Sequence, residues 1–379
     1  MASLYLHIPY CEKKCVYCDF YSIENMDSME LFLRALEKEI AMYAGNCSSR
    51  ESFETVFFGG GTPSLLPPSA LERILNTLHA HYRIDSGAEI TVETNPGTVD
   101  AEKLRAYRSL GVNRLSIGIQ SFHPDELKFL SRIHTADEAT TCVESAYGAG
   151  FENVSVDLIF SLPDQTLVQW KENLLRAIAL EPKHLSAYSL IVEQHTPLYT
   201  MVQEGTVKPL PEDRDTAMYE TTLAIMAEYG FIQYEVSNFA MPQFECRHNK
   251  NYWNHSNYLG FGPSAHSFWK EMSTGGRRWW NARSIAHYCD AIGKGTFPVA
   301  GSETVDKEKM FSEAVFLGLR MGELSMTTLQ QLYGIDMLSS RGEKLKIFSD
   351  EDLLHINDRR ITLTRKGFMV CDAIAESLL

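Results

Sequence analysis

Nowhere does this sequence hold an apolar run approaching the roughly 20 residues that a membrane-spanning helix needs. Its opening stretch, Met1-Ala-Ser-Leu-Tyr-Leu-His7, lacks the basic n-region and long apolar segment of a secretory signal. A cytoplasmic protein is therefore the expectation. A concentrated basic surface is missing too. The net charge is −14, and Lys13–Lys14, Arg277–Arg278 and Arg359–Arg360 stand as isolated pairs. Phosphate backbones are bound by clustered cations, so nucleic acid is not an expected partner. Nor is there a disulfide framework. Of the eight cysteines three fall close together, while Cys47, Cys142, Cys246, Cys289 and Cys371 are scattered. The scattered five are expected to be buried or half-buried free thiols.

What is present is a core-forming chain with a repeating texture. Hydrophobic residues make up 44% of 379 positions, enough to fill one large domain and a smaller one. Up to about residue 240, short apolar runs alternate with amphipathic stretches. The runs at Leu4–Ile8, Thr55–Phe58, Glu89–Glu93, Arg114–Ile119, Ser155–Phe160 and Leu185–Leu190 read as strands buried on both faces. Between them, Leu31, Ala35, Leu36, Ile40 and Tyr43 recur at helical spacing. Asp100 is placed as an N-cap, Gly111 as the residue just past a helix, and Gly150 and Gly230 as helix stops. Strand–helix alternation implies right-handed crossovers and a parallel sheet. Six such units make an α/β fold, a partial (β/α)6 TIM-like barrel over residues 1–240.

The remaining chain differs in texture. Residues 241–300 are rich in aromatics, Gly, Asn and His, and read as a connecting segment at the barrel mouth. Residues 301–379 read as a small C-terminal helical, winged-helix-like domain, with a β-wing at Arg360-Ile-Thr-Leu-Thr-Arg-Lys-Gly367. A wing can bind DNA, but the acidic balance favours a packing or partner role.

Chemistry is concentrated at Cys11-Glu-Lys-Lys-Cys15-Val-Tyr-Cys18-Asp-Phe20. The segment follows the first strand directly, at the face where barrels build their active sites. Soft thiolates select zinc or iron–sulfur clusters. Zinc asks for a fourth protein ligand, and no second Cys-x-x-Cys or His-x₃-His pair supplies one. An electron-transfer cluster asks for a fourth thiolate. Cys11, Cys15 and Cys18 alone leave one iron of a [4Fe–4S] cluster open to a ligand from outside the protein.

The Cys-x₃-Cys-x₂-Cys spacing resembles the signature of the radical S-adenosylmethionine superfamily, in which that outside ligand is S-adenosylmethionine. Gly59-Gly60-Gly61-Thr62-Pro63 after the second strand resembles the loop that holds the methionine amino group; three missing Cβ atoms let a ligand approach the backbone. It is not a dinucleotide fingerprint, because Thr62-Pro63 follow at once. Glu93 and Gln120 end apolar strands and Asp157 lies within one, polar positions that are costly unless paired. Singly each reads as a local cap. Together they match a family pattern of contacts to the ribose, carboxylate and amino groups. By the same resemblance Arg132 lies near the carboxylate, and Tyr5 and Tyr17 lie beside the cluster and the adenine.

His7-Ile-Pro-Tyr-Cys11, Gly118-Ile-Gln-Ser-Phe122, Asp157-Leu-Ile-Phe-Ser-Leu-Pro163 and the C-terminal region look like the oxygen-independent coproporphyrinogen III oxidase group. Two departures bear on function. Phe20 stands where the oxidases have a further cysteine, and the first strand is expected almost at Met1, where they carry an extension. Both are features of the heme-chaperone branch, HemW. That resemblance implies heme as cargo and respiratory hemoproteins as acceptors, with at most peripheral membrane contact. The alternatives are an oxidase performing radical decarboxylations and a radical methyltransferase.

His248-Asn-Lys-Asn-Tyr252-Trp253 matches a motif of that branch. Neutral imidazole is a common heme ligand, and Tyr and Trp offer flat apolar surface. The same residues can equally form a packing cluster with His248 hydrogen-bonded inside it. The resemblance turns this balance towards heme contact by His248. His255 and His266 are weaker candidates, and the Gly-rich turn of His266 can instead face the cofactor.

Overall fold

The computed structural model describes residues 2–47, 51–272 and 275–379. Six parallel strands follow one another through the first half of the chain: β1 (Ala2–Ile8), β2 (Ser52–Gly60), β3 (Arg83–Thr94), β4 (Arg114–Gln120), β5 (Asn153–Phe160) and β6 (His184–Ser189). They lie side by side in sequence order. Helices Met29–Cys47, Pro68–His81, Ala101–Ser109, Ala136–Gly148, Leu167–Ala179 and Glu212–Glu228 lie between or after them. Alternate strand residues such as Leu4, Leu6 and Ile8 join the helices in one apolar core, whereas Tyr5, Phe57, Glu93 and Asp157 line cavities on the inner face. The partial (β/α)6 barrel is thus the observed architecture.

The boundary signals act as their chemistry implies. Asp100 accepts a hydrogen bond from Lys103 N as an N-cap. Gly111, Gly150 and Gly230 all have positive φ just past helix ends. In the first helix Ala35, Leu36, Ile40 and Tyr43 are buried, but Leu31 is 59% exposed and Phe32 and Leu33 take its place inside. The stripe begins one residue later than its 3.6-residue spacing suggested, because Phe32 reaches Tyr10 and Tyr288.

Beyond residue 230 the sheet continues instead of giving way to a simple connection. At the β6 edge, β7 (Ile232–Glu235) and β8 (Asn238–Ala240) add antiparallel. At the other edge β9 (Asn257–Phe261) pairs parallel with β1, followed by antiparallel β10 (His266–Met272), β11 (Gly275–Asn281) and β12 (Val299–Val305). The sheet holds 12 strands among the described residues. Much of the 241–300 segment is therefore barrel sheet. Its attachment runs through Glu39, buried in the first helix, whose carboxylate accepts from Tyr288 Oη at 2.7 Å, Asn281 Nδ2 at 2.7 Å and Gly262 N at 2.8 Å.

The C-terminal unit begins after Val305, not at 301, since β12 runs through that point. Helices Lys307–Arg320, Met326–Tyr333 and Met337–Asp350 pack with β13 (Glu323–Ser325), β14 (Leu354–Asn357) and β15 (Arg360–Leu363). This is a winged-helix arrangement with its own core, joined to the barrel sheet through Phe268 and Val305. Cys142, Cys246, Cys289 and Cys371 are buried free thiols; the side chain of Cys47 lies outside the described residues.

Candidate cofactor site

At the C-terminal ends of the parallel strands lies a cavity of about 640 Å³. Cys11, Cys15 and Cys18 share its wall with Tyr17, Gly60, Gly61, Thr62, Glu93, Gln120, Arg132 and Asp157. The strands β1 to β5 bring these residues together from 147 positions of sequence, Cys11 to Asp157 counted inclusively. Tyr5 is the one candidate cofactor residue outside this cavity. It lines an adjoining cavity of about 460 Å³, which shares Phe57, Gly60 and Glu93 with the first.

The cysteine loop is held by the glycine loop. Gly61 N donates to Ile8 O at 2.8 Å and Thr62 N to Tyr10 O at 2.7 Å. A Cβ on Gly61 would stand 2.6 Å from Tyr10 O, closer than such atoms approach. Gly60 has φ +108° and faces the His7 ring. The glycines thus admit the chain's own cysteine loop first, where the sequence suggested only close approach by a ligand. Thr62 Oγ1 also lies 3.5 Å from Cys11 Sγ.

Asp157 and Glu93 are paired as burial requires. Asp157 accepts from Ser186 Oγ at 2.7 Å, Ser116 Oγ at 2.9 Å and Ser155 Oγ at 3.1 Å. Glu93 Oε2 accepts from Gly60 N at 3.2 Å. Burial, with the Asp157 carboxylate adding to it, pushes Glu93 up to about 8. Burial raises Asp157 as well, against the pull of the Ser186 and Ser116 hydroxyls and Arg114. Two acids held above their ordinary range in one cavity suit a cationic ligand, because its charge restores both carboxylates. Arg132 donates to Asn95 Oδ1 at 3.0 Å and to Tyr17 Oη at 3.1 Å, and its Nε has no protein partner. Arg132 lines the cavity wall, where a guanidinium suits a carboxylate.

Sequence reasoning missed Arg114 and Glu89. Arg114 is buried within β4 and reaches the cavity wall. Glu89, in β3, accepts from Arg247 N and His248 N, both at 3.1 Å, and so caps helix Arg247–Trp253. Their signal was a charge inside an apolar run.

The helix carries His248 into the barrel interior. The residue is 1% exposed. Nδ1 lies 2.7 Å from Thr55 Oγ1 and Nε2 lies 3.1 Å from Tyr252 Oη, while the ring stacks on Phe57 at 4.8 Å. Burial, then Arg114, lowers its pKa to about 3. Both ring nitrogens thus have protein partners, the packing arrangement that the sequence allowed beside heme contact, and the residue also lines the second cavity. His255 Nε2 lies 2.9 Å from Glu313 Oε2 and its ring stacks on Phe268. His266 is exposed and lines the second cavity.

A strand-end cavity with three cysteines on one loop, facing a glycine loop and strand-end acids, defines a radical S-adenosylmethionine protein. Residues 5–177 match the Radical SAM superfamily and residues 305–370 the HemN C-terminal domain. Heme chaperone HemW from Bacillus subtilis is 36% identical, covering 100% of this chain and 99% of that one. Its counterpart from Escherichia coli is 40% identical over 70% of this chain and 69% of its own. The chain belongs to the HemW family of heme chaperones. In fold it matches the coproporphyrinogen III oxidase HemN of Escherichia coli, with a TM-score of 0.84 at 22% identity, covering 100% of this chain and 89% of that one. Among the described residues no helix is long and apolar enough to cross a membrane.

Proposed function

We propose that this chain binds heme and hands it to respiratory hemoprotein acceptors, with an iron–sulfur cluster on Cys11, Cys15 and Cys18 and S-adenosylmethionine in the adjoining cavity. The donor set fits a [4Fe–4S] cluster with one open iron, since three thiolates are available and no fourth lines the cavity among the described residues. Bound S-adenosylmethionine supplies one-electron chemistry in such sites. The chain's own residues bind and orient it. Glu93 and Asp157 meet positive charge, Arg132 meets the carboxylate, and Gly60, Gly61, Thr62 and Gln120 shape the wall. Tyr17 closes the side next to the cysteines, with Tyr5 beyond the shared Glu93 wall. Contact with a membrane is at most peripheral.

The observation that carries delivery over porphyrinogen chemistry is Phe20. It stands two residues after the last cysteine, is 64% exposed, and borders both cavities. An exposed apolar ring there offers a surface to a flat macrocycle and no further thiol to a reaction. The test uses the full chain with its cluster reconstituted anaerobically. Heme is offered in one arm, and coproporphyrinogen III with S-adenosylmethionine and reductant in the other. Stoichiometric heme binding, transfer to an apo-hemoprotein and no protoporphyrinogen are expected. Rapid oxidative decarboxylation, or no heme binding, would overturn the reading.

A further inference from the structure

We propose that Arg114 is the positioning residue of the cofactor cavity: buried beneath Glu93 and Asp157, its guanidinium holds the two carboxylates as a charged pair facing one cationic ligand. This rests on the reading that S-adenosylmethionine occupies the cavity, and it assigns what prepares the cavity for that charge.

The placement follows from strand register. In β4, Arg114, Ser116, Gly118 and Gln120 alternate onto the inner face and line the cavity. Ser116 stands in register with Glu93 of β3, and its hydroxyl donates to Asp157 Oδ2 of β5 at 2.9 Å. Arg114 lies on the same face, one pleat closer to the N-terminal ends of the strands, in register with Thr91 and Asn153. Glu93, Ser116 and Asp157 thus form one layer of the barrel, and Arg114 belongs to the layer beneath. Its side chain is buried, and Nε has no hydrogen-bond partner among the described residues. Glu89 and Asp157 act on it through charge, without a direct hydrogen bond. Burying an ion costs several kcal/mol, and an arginine serving packing alone would have its donors paired. Glu89 is committed to the amides of Arg247 and His248. His184 and His248 are held neutral, by burial first and Arg114 second. The charge of Arg114 is left to act on the layer above.

Two carboxylates that share a cavity repel, and one of them ordinarily takes up a proton. Burial and the Asp157 charge push Glu93 up to about 8, and Arg114 pulls against them after the Gly60 amide. Burial raises Asp157 too, and Arg114 pulls against it after the Ser186 and Ser116 hydroxyls. The same cation therefore acts on both acids. Tyr5, Tyr188 and Tyr252, which also face the pair, are held neutral by burial, and Arg132 lies on the cavity wall. A guanidinium also repels a cationic ligand, so its net effect changes sign with pH. Near neutrality it favours binding by keeping the acids charged. At alkaline pH the acids are charged in any case, and only the repulsion is left. A lost direct contact or a damaged fold would instead lower affinity at every pH.

The experiment is equilibrium binding of S-adenosylmethionine to the full-length chain with its cluster reconstituted, between about pH 6.5 and about pH 9.5. Wild type, Arg114→Met and Arg114→Lys are compared as ratios of affinity, which cancels the ligand's own ionisation. Arg114→Met is expected to bind about tenfold more weakly near neutral pH, as the midpoint moves up by about one pH unit, and to match or exceed wild type at about pH 9.5. Arg114→Lys keeps a cation in place and should return the ratio towards that of wild type. Iron–sulfur content should be unchanged in both. If Arg114→Met does not fold, Arg114→Gln, which keeps a polar group in the layer, decides by the same ratio. A ratio that stays constant across the pH range, or an unchanged affinity near neutrality, would overturn the role. Failure of the wild-type chain to bind S-adenosylmethionine would instead overturn the reading on which it rests.

Discussion

Thr55 Oγ1 and His248 Nδ1 lie 2.7 Å apart inside the barrel, on residues 193 positions apart in the chain. With Tyr252 Oη on the other nitrogen and Phe57 against the ring face, His248 holds the Arg247–Trp253 helix against β1 and β2.

His248→Ala is therefore expected to act on stability first. It opens a cavity and leaves the Thr55 and Tyr252 hydroxyls without their partner, a loss of about 3 kcal/mol. Thermal unfolding of wild type and variant measures this. An unchanged melting temperature would contradict the packing role.

Gly61→Ala should disturb the cysteine loop without removing a thiol. The added Cβ meets Tyr10 O at 2.6 Å, and Thr62 N could no longer keep its bond to that carbonyl. Iron and acid-labile sulfide after reconstitution should fall well below wild type, as they should for Cys15→Ala, which deletes a proposed ligand outright. Full cluster content in both variants would remove the loop from cluster binding.

Affinity for S-adenosylmethionine should rise with pH. The free carboxyl of Glu93 sits at about 8, facing Asp157, Arg114, Tyr5 and the Gly60 amide. Below that value it is protonated, and a cationic ligand must displace the proton. Affinity then increases by up to about tenfold per pH unit towards 8 and levels off above it. Equilibrium binding from pH 6 to 9 gives the slope, and Glu93→Gln should flatten it.

Glu39 sets a second pH dependence, on stability. Burial raises its pKa from 4.5 to about 7, against hydrogen bonds from Tyr288, Gly262 and Asn281. The folded state holds the proton more tightly than the unfolded chain. Stability is accordingly lost as pH rises from about 4.5 to 7, by up to about 1.4 kcal/mol per unit, and is level above. Glu235 and Glu93 are shifted in the same direction, so the wild-type slope is a sum. Denaturant midpoints at pH 5.5 and 7.5 should differ less in Glu39→Gln than in wild type.

The six parallel strands were legible because each is an apolar run closed by a cap or glycine that fixes its end; Asp100 and Gly111 bracket one helix in this way. The later strands were hidden. β10 and β11 carry Lys270, Arg277 and Arg278, since one face meets solvent or the C-terminal unit, and so lack the apolar continuity of a doubly covered strand. Glu39 reads as a surface charge on an amphipathic helix and Arg114 as a charge inside an apolar run, and only groups from distant segments explain their burial.

By itself the sequence determined the cysteine loop, the parallel barrel and the strand-end acids, because spacing and apolar periodicity are local properties. Tertiary structure decided which histidine is free. His248 and His266 are equivalent as residue types, and the motif around His248 favoured it. Hydrogen bonds to Thr55 and Tyr252 occupy both nitrogens of His248, while β10 places His266 against Trp280 at an open cavity. A lone pair is available or engaged only through neighbours that the fold supplies.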